Sequence, residues 1–218
     1  MTINIQRVLI WQPWLRVAHW LLAFSVVLLA MTGWLMQMAP SMAIAASEYH
    51  YLLASVLTVG LLLRIWLLFS DKGTGHWSKL IPEVKDRRTI KKMLLFYASF
   101  GKRPQPKWYA HNPLWKLVYV FVFILLLLLI LTGAAREDFP VMFGFFLPDI
   151  HGFLATTILV FVILHIIAVV LHDYKGDASD VSSMINGHRI FVADKQSEFP
   201  SDLKEQPITF KPIKKKSD

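Results

Sequence analysis

The chain has 218 residues, of which 55% are hydrophobic and 17% are charged, whereas an ordinary soluble domain has roughly 45–50% and 25%. This composition excludes a typical soluble domain with a single core. The chain also contains no cysteine, which excludes disulfides, thiolate-held iron–sulfur clusters and covalently attached c-type haem. Any metal or cofactor must therefore be held by histidine, methionine or carboxylate side chains.

Four segments are long and apolar enough to cross a membrane. A helix needs about 20 apolar residues to span a hydrocarbon core, and the windows that qualify are about 14–36, 50–69, 114–135 and 150–172. We therefore predict an all-α integral membrane four-helix bundle formed by residues 1–176, followed by a weakly ordered tail, residues 177–218. A secretory signal cleaved near residues 43–46 is the alternative for the first window, but its apolar run is longer than such signals have.

The net charge of +8 is distributed unevenly along the chain. Of the 23 Lys and Arg residues, ten lie in residues 70–113 and eight in 173–218, while the connections 37–49 and 135–149 together contain only Arg136. Because positive charge accumulates in cytoplasmic loops, we predict that both termini, the loop 70–113 and the tail are cytoplasmic. The positive charge then reflects topology and membrane lipid, and we predict no nucleic-acid partner.

Within the loop 70–113, residues 87–97 mix cations with large apolar side chains. This pattern predicts an interfacial helix on anionic lipid. A calmodulin-like or nucleic-acid-binding motif is the weaker alternative.

Four histidines lie in or at the edges of the predicted spans. A polar side chain inside a membrane needs a partner, so each of these residues is hydrogen-bonded between helices or binds a cofactor. His151 and His165 are 14 residues apart and share one helix face, about 21 Å apart along the axis. The predicted topology places His50 level with His151 at the outer side, and His19 level with His165 at the cytoplasmic side.

Two opposed imidazoles across a ring-sized gap are what a six-coordinate b-type haem requires. A zinc site would instead group three or four ligands at one depth. The sequence therefore predicts two haem b groups, with the iron ligand pairs His19–His165 and His50–His151.

Two further residues follow the same spacing of 14. Gly33 falls at the depth of the outer histidines, where a missing side chain would let a porphyrin approach the backbone. Arg64 falls at the depth of the inner histidines, where a cation would meet a haem propionate. Helix packing for Gly33 and a snorkelling anchor for Arg64 are the alternatives. In addition, Thr32-Gly33 ends the first span and Thr132-Gly133 the third, a loose internal repetition.

Over about residues 8–190, several motifs together resemble the four-helix di-haem cytochrome b subunits of bacterial respiratory complexes, which are grouped with the prokaryotic cytochrome b561 proteins. The resemblance is closest to the subunits of nickel–iron hydrogenases. The motifs are Arg16-Val17-Ala18-His19-Trp20 with Thr32-Gly33, His50 with Arg64-Ile65-Trp66, His111-Asn112-Pro113, His151 with His165, and Asp177-Ala178-Ser179-Asp180 followed by Ser183-Met184-Ile185-Asn186-Gly187.

The resemblance implies that the four histidines are haem iron ligands and that a quinone, menaquinone or ubiquinone, reacts near the cytoplasmic face. Asn112 matches a position at the quinone pocket of the formate dehydrogenase type, and the neighbouring His111 and the interfacial His172 are added as candidates. Electrons would pass between this quinone and a periplasmic redox protein, either a hydrogenase-like enzyme or a c-type cytochrome, across the bacterial inner membrane.

We therefore expect the electron-transfer subunit of a quinone-linked oxidoreductase complex, and we assign it no catalytic residue of its own. Two alternatives stay open. The short outer connections favour a free-standing superoxide oxidase or ferric reductase coupled to quinone. The histidines alone would also be compatible with a cofactor-free membrane anchor.

Overall fold

The computed structural model describes residues 4–175 and 180–193. The helices are α1 (Pro13–Met38), α2 (Ala43–Ser70), α3 (Asp86–Ala98), α4 (Pro113–Ala135), α5 (Leu147–Lys175) and α6 (Asp180–Asn186). The strands are β1 (Asn4–Leu9), β2 (Val141–Met142), β3 (Phe145–Phe146) and β4 (His188–Ala193), and they pair antiparallel as β1–β4 and β2–β3. Two 3₁₀ turns, Pro40–Met42 and Trp77–Leu80, complete the described elements.

The helices α1, α2, α4 and α5 are each long and apolar enough to cross a membrane, which confirms the predicted all-α membrane protein. Both α1 and α4 begin at a proline, whose missing N–H suits the first turn of a helix. The helix α2 begins at Ala43, about two turns before His50, and not near His50 as expected. The reason is that the 3₁₀ turn Pro40–Met42 leads directly into α2.

The core of the bundle lies among the four long helices, with α1 packed mainly on α2 and α4 mainly on α5. It consists of buried aliphatic side chains, namely Leu29, Leu57, Leu61, Val122, Leu125, Leu126, Leu129, Leu154 and Ile158. Large apolar side chains on the outside of the same helices are exposed, among them Phe24, Trp66 and Phe153. Such an apolar exterior is typical of a surface that contacts lipid.

A second structural unit, which we call the capping layer, consists of β1, α3, α6 and β4 at the end of the bundle where α1 begins. The strands β1 and β4 pair with Leu9 opposite His188. Gly187 connects α6 to β4 at a φ of +85°, which favours glycine. Its carbonyl accepts hydrogen bonds from the backbone N–H groups of Ile10 (2.8 Å) and Trp11 (3.0 Å). The chain segments that precede and follow the bundle in the sequence are therefore joined to each other.

The expectation of a weakly ordered tail is wrong for residues 180–193, which form α6 and β4. The Asp173 carboxylate accepts hydrogen bonds from the backbone N–H groups of Asp180 (2.5 Å) and Val181 (3.1 Å) at the start of α6. The buried Ser183 hydroxyl accepts one from Trp11 Nε1 at 3.1 Å. The rest of the predicted tail, together with residue 176, lies outside the described residues.

The helix predicted over residues 87–97 is present as α3. Its Met93 and Phe96 are fully buried and pack with Trp108, and Asp86 at its start forms an ion pair with Lys116 Nζ at 2.9 Å. The opposite face is rich in cations, so the contact of α3 with anionic lipid stays a prediction.

The opposite end of the bundle has only short connections. Ala39 and the 3₁₀ turn Pro40–Met42 link α1 to α2. The hairpin β2–β3 turns at Phe143 and Gly144, whose φ angles of +53° and +82° are those of a tight two-residue hairpin turn.

Candidate functional site

Two histidines face each other at the end of the bundle with the short connections. His50 of α2 and His151 of α5 have ring centroids 6.4 Å apart, and their planes are inclined by 65°; we call them the outer pair. The Thr32 hydroxyl of α1 lies 2.8 Å from His50 Nδ1. The Thr132 hydroxyl of α4 lies 3.2 Å from His151 Nδ1. All four long helices therefore contribute to this site.

A glycine follows each of these two threonines. A Cβ atom placed on Gly133 would lie 2.9 Å from His151 Cε1, which is closer than real Cβ atoms approach. A Cβ atom placed on Gly33 would lie 3.7 Å from His50 Cε1, an ordinary contact. Gly33 thus lies beside the outer pair, at the depth predicted for it, while the tighter approach of helix to ring is at Gly133.

The second pair of histidines lies near the capping layer. His19 of α1 and His165 of α5 have ring centroids 6.4 Å apart, with planes inclined by 59°; we call them the inner pair. The ring centroid of Trp20 lies 5.4 Å from that of His19. The ring centroids of Phe161 and Trp115 lie 5.7 Å and 5.9 Å from that of His165. The structure therefore brings the four histidines together in the two combinations that were predicted, and it surrounds the inner pair with aromatic rings.

The separation within each pair fits a metal ion between two imidazole nitrogens. If a nitrogen of each ring faces its partner, subtracting the two ring radii from 6.4 Å leaves about 4 Å between these nitrogens, which exceeds a hydrogen bond of about 3 Å and equals two metal–nitrogen bonds of about 2 Å. Two neutral imidazoles are the axial ligands of a six-coordinate haem iron. The donor set of each pair therefore fits haem b.

Arg64 of α2 is buried at the same end of the bundle as the inner pair, with 7% of its surface exposed. Its Nη1 donates a hydrogen bond to the Gly75 carbonyl at 3.2 Å, and its guanidinium lies 5.2 Å from the centre of the Phe123 ring. Because Arg64 is enclosed by protein, it does not snorkel to the membrane surface. Its contact with a haem propionate stays a prediction.

Two of the three quinone candidates meet around Tyr97 of α3, which the sequence analysis did not single out. The Tyr97 hydroxyl lies 2.6 Å from His172 Nε2 and accepts a hydrogen bond from Trp115 Nε1 at 2.7 Å. Asn112 Oδ1 caps α4 by accepting a hydrogen bond from Leu114 N at 3.0 Å. Asn112 Nδ2 faces the Tyr97 hydroxyl but is buried without a hydrogen bond of ordinary geometry.

The third quinone candidate, His111, lies apart from this group. Its ring centre is 5.0 Å from that of Trp11 and 5.9 Å from that of Tyr119. Burial, together with the positive charges of Arg64 and Lys116, lowers the pKa of His111 to about 3. The ring is therefore neutral at physiological pH.

His172 belongs to a buried polar cluster, which we define as Tyr97, His172, Asp180 and Arg189. His172 Nδ1 lies 3.3 Å from the Asp180 carboxylate, which also forms an ion pair with Arg189 Nη2 at 3.0 Å. The Arg189 guanidinium lies 4.9 Å from the centre of the Trp108 ring. Burial raises the pKa of Tyr97 to about 12, so its hydroxyl keeps its proton. The cluster joins the end of α5 to the capping layer.

Sequence reasoning placed His172 at the inner end but missed its partners. Asp180 and Arg189 belong to the segment predicted to be a weakly ordered tail, and Tyr97 belongs to the helix predicted to lie on anionic lipid. One signal was present, since the run Ile190-Phe191-Val192 directly after Gly187 and two polar residues is typical of a strand. A strand there would have indicated that the segment is folded.

Comparison with known proteins finds relatives over most of the chain. A probable Ni/Fe-hydrogenase B-type cytochrome subunit of Cupriavidus necator is 28% identical over 220 aligned residues, which cover 86% of this chain and 89% of that protein. Proteins of the same name are 30% identical in Rhizobium leguminosarum, covering 85% of this chain and 90% of the relative, and 29% identical in Bradyrhizobium diazoefficiens, covering 84% and 86%. No solved structure matches the chain significantly. A family profile described as "Prokaryotic cytochrome b561" matches residues 10–187, and the chain therefore belongs to that family.

Proposed function

We propose that this protein carries electrons across the bacterial inner membrane between a periplasmic redox protein and the quinone pool, with one haem b at each histidine pair. When bound, a haem b takes up and releases single electrons at its iron. The observation that carries the proposal is the equal separation of 6.4 Å in two opposed histidine pairs. Since His151 and His165 lie about 21 Å apart by helix rise, the pairs lie towards opposite ends of the bundle.

The surrounding side chains would keep both sites dry and oriented. The aliphatic core lies between the two pairs and excludes water from the bundle interior. The inner imidazoles are packed by Trp20, Trp115 and Phe161. Packed rings cannot easily rotate, which favours a single ligand orientation.

We place the quinone beside the inner pair, near Asn112. A quinone carbonyl oxygen is held by hydrogen-bond donors, and Asn112 Nδ2 is a buried donor without a partner of ordinary geometry. Trp115 connects this position with the inner pair, because its ring lies 5.9 Å from that of His165 and its Nε1 donates to Tyr97. His111, Asn112 and His172 stay candidates for contact with menaquinone or ubiquinone.

The polar cluster offers a route for the protons that quinone reduction consumes. The Tyr97 hydroxyl, His172 and Asp180 follow one another within hydrogen-bond or ion-pair distance, at 2.6 Å and 3.3 Å. His172 has both ring nitrogens engaged, so it can accept a proton at one nitrogen and donate at the other. We infer that protons reach the quinone position from the cytoplasmic side through these side chains.

We propose that the donor docks at the end of the outer pair. The relatives that match this chain are named as Ni/Fe-hydrogenase B-type cytochrome subunits, which supports a hydrogenase-like enzyme as the donor; a c-type cytochrome is the alternative. The connections 37–49 and 135–149 contain only one cation, Arg136. Loops with few lysine and arginine residues are typical of the periplasmic side. This supports a periplasmic position for the outer pair.

Haem analysis of the purified full-length protein tests the central claim. We expect two haem b groups per chain, a reduced-state spectrum of bis-imidazole haem, and two separate transitions in a potentiometric titration. A folded protein without haem, or with a single haem, would contradict the proposal. Co-purification from the native membrane would identify the donor.

The Asn112→Asp variant tests the quinone position. Aspartate keeps the oxygen that caps α4 and removes the amide donor, so the helix is preserved. We expect a raised KM for a water-soluble quinone with both haems retained. Asn186→Asp is a matched control, because Asn186 Oδ1 accepts a backbone hydrogen bond from His188 at 2.7 Å in the capping layer. An unchanged KM in Asn112→Asp would contradict a quinone position beside Asn112.

The short outer connections favour a second candidate function, a free-standing superoxide oxidase or ferric reductase coupled to quinone. Only Ala39 and the turn Pro40–Met42 separate α1 from α2, which leaves little surface for a large partner. Turnover of superoxide or a ferric chelate by the purified protein alone would support this candidate. The third possibility, a cofactor-free anchor, requires the visible spectrum to be unaffected by His151→Ala.

A further inference from the structure

Each outer histidine is contacted by a threonine hydroxyl from the neighbouring helix. Thr32 of α1 contacts His50 of α2 at 2.8 Å, and Thr132 of α4 contacts His151 of α5 at 3.2 Å. The partners are 18 and 19 residues apart in the chain. Two helix pairs of unlike sequence therefore build the same contact at the same end of the bundle.

The direction of each hydrogen bond follows from the other contacts of the hydroxyl. Thr32 Oγ1 donates to the Leu28 and Leu29 carbonyls at 3.0 Å and 3.1 Å. Thr132 Oγ1 donates to the Leu128 and Leu129 carbonyls at 2.8 Å and 3.1 Å. A hydroxyl has a single hydrogen and two lone pairs. Because that hydrogen is used within the helix, as is usual for threonine in a helix interior, the oxygen must accept from the imidazole.

The imidazole nitrogen that faces each threonine must then carry the hydrogen. A neutral imidazole has one N–H and one lone pair, so hydrogen at Nδ1 leaves the lone pair at Nε2. That nitrogen is the one free to coordinate iron. The threonine, together with the Leu29 or Leu129 carbonyl that also accepts from the same imidazole, thus selects the ring tautomer that a metal ligand needs.

We propose that Thr32 and Thr132 are positioning residues of the outer haem site, fixing the tautomer and orientation of His50 and His151. The inference rests on the proposed function, since it requires haem at the outer pair. The inner pair differs, because the side chains packed on His19 and His165 are aromatic rings, Trp20 and Trp115 among them.

The proposal has a measurable electronic consequence. An N–H group that donates to an oxygen makes the other ring nitrogen more basic. A more basic ligand stabilises the oxidised iron and lowers the reduction potential. Removal of either threonine hydroxyl should therefore raise the potential of the outer haem and leave the inner haem unaffected.

The test is a potentiometric titration of full-length Thr32→Val and Thr132→Val variants, in which valine keeps the shape and removes the oxygen. We expect one of the two transitions to shift to higher potential in each variant and to shift further in the double variant. Thr132→Ser retains the acceptor and should restore the wild-type titration. Thr156→Val is the matched control, because Thr156 of α5 donates to its own helix at the Gly152 carbonyl, 2.9 Å away, on the exposed face.

The outcomes separate this inference from the proposed function. Wild-type protein without two haems would overturn both. Two haems in the wild type, with transitions that do not move in either valine variant or move equally in Thr156→Val, would overturn only the role of the threonines. If Thr132→Val loses the outer haem, retention of that haem in Thr132→Ser supports the hydrogen bond, and its loss there contradicts it.

Discussion

The outer and inner histidine pairs have the same ring separation, 6.4 Å, but are held in different ways. At the outer pair, a threonine hydroxyl from a neighbouring helix contacts each ring, and the backbone of α4 approaches His151 closely at Gly133. At the inner pair, the contacts come from aromatic rings. Beyond the inner pair lies the capping layer, whereas the outer end has only short connections.

The same ligand geometry is therefore supported in two different ways. Each hydrogen bond or glycine contact involves only a few atoms. A small substitution at the outer pair should therefore change the position of one imidazole ring directly. Aromatic packing and a folded layer distribute the support over many atoms, so a small substitution at the inner end should first reduce stability.

The largest expected effect is loss of a haem when a ligand is replaced. We expect His151→Ala to lose the outer haem and His165→Ala to lose the inner haem, because an iron with one remaining protein ligand is held far less tightly. Haem content should fall from two per chain to one, and a different redox transition should survive in each variant. His76→Ala, in the loop after α2, is the control and should keep both haems. Survival of the same transition in both variants would refute the division into two pairs.

The next effect separates the two glycines of the outer pair. Gly133→Ala forces His151 to shift, because the new Cβ would lie 2.9 Å from its Cε1, and overpacking of this kind costs about 1–3 kcal/mol. Gly33→Ala places the Cβ at an ordinary 3.7 Å from His50, so it should leave that imidazole in place and disturb only the porphyrin approach predicted at Gly33. Retention of the outer haem during thermal unfolding measures the difference. Equal retention in the two variants would contradict the geometry at Gly133.

At the inner end, Tyr97→Phe should reduce stability without removing a haem. The change leaves Trp115 Nε1 and His172 Nε2 without the hydroxyl that each contacts, and a buried polar group without a partner costs about 1–3 kcal/mol. Thermal unfolding of the haem-loaded protein measures the loss. Tyr174→Phe is the control, since Tyr174 is 78% exposed. Loss of a haem in Tyr97→Phe, with stability otherwise kept, would show that the two ends do not differ as described.

The smallest effect concerns the ion pair that attaches α3 to α4. Burial raises the pKa of Asp86, but the hydrogen bond and charge of Lys116 and the backbone N–H of Glu83 outweigh it, so the pKa is below the usual 3.8. The ionised carboxylate therefore stabilises the fold at pH values above 3.8, and this contribution disappears as the pH falls through the lowered pKa.

The Asp86→Asn variant should consequently be less stable by about 1 kcal/mol at neutral pH, because the amide oxygen still accepts a hydrogen bond but the charge is lost. Below the lowered pKa the difference from wild type should vanish. Thermal unfolding followed across this pH range tests the claim. If Asp86→Asn stays less stable than the wild type below the lowered pKa, the loss of stability comes from packing and not from the charge.

The parts of the molecule that could be predicted are those set by local pattern. The four spans follow from apolar length, and the pairing of His50 with His151 and of His19 with His165 follows from a spacing of 14 residues together with topology. The partners of His172 could not be predicted, because Asp180 and Arg189 approach it through contacts between distant segments. Such contacts leave no periodicity in the sequence.

The threonines are an intermediate case. Thr32 and Thr132 were visible as a repeated Thr-Gly pair at the ends of two spans. Their contact with a histidine of the next helix depends on how adjacent helices are rotated, which composition does not reveal. In the structure, each repeated threonine contacts a histidine of the next helix, Thr32 with His50 and Thr132 with His151.

The sheet of β1 and β4 restricts how the chain can cross a membrane. The strand β1 precedes the first long helix and β4 follows the last. Paired strands lie about 4.8 Å apart, whereas a hydrocarbon core is about 30 Å thick, so both strands occupy one side of the bilayer. The number of crossings between them must be even, whatever the distribution of lysine and arginine. Any alternative topology with one span more or fewer would have to break this sheet.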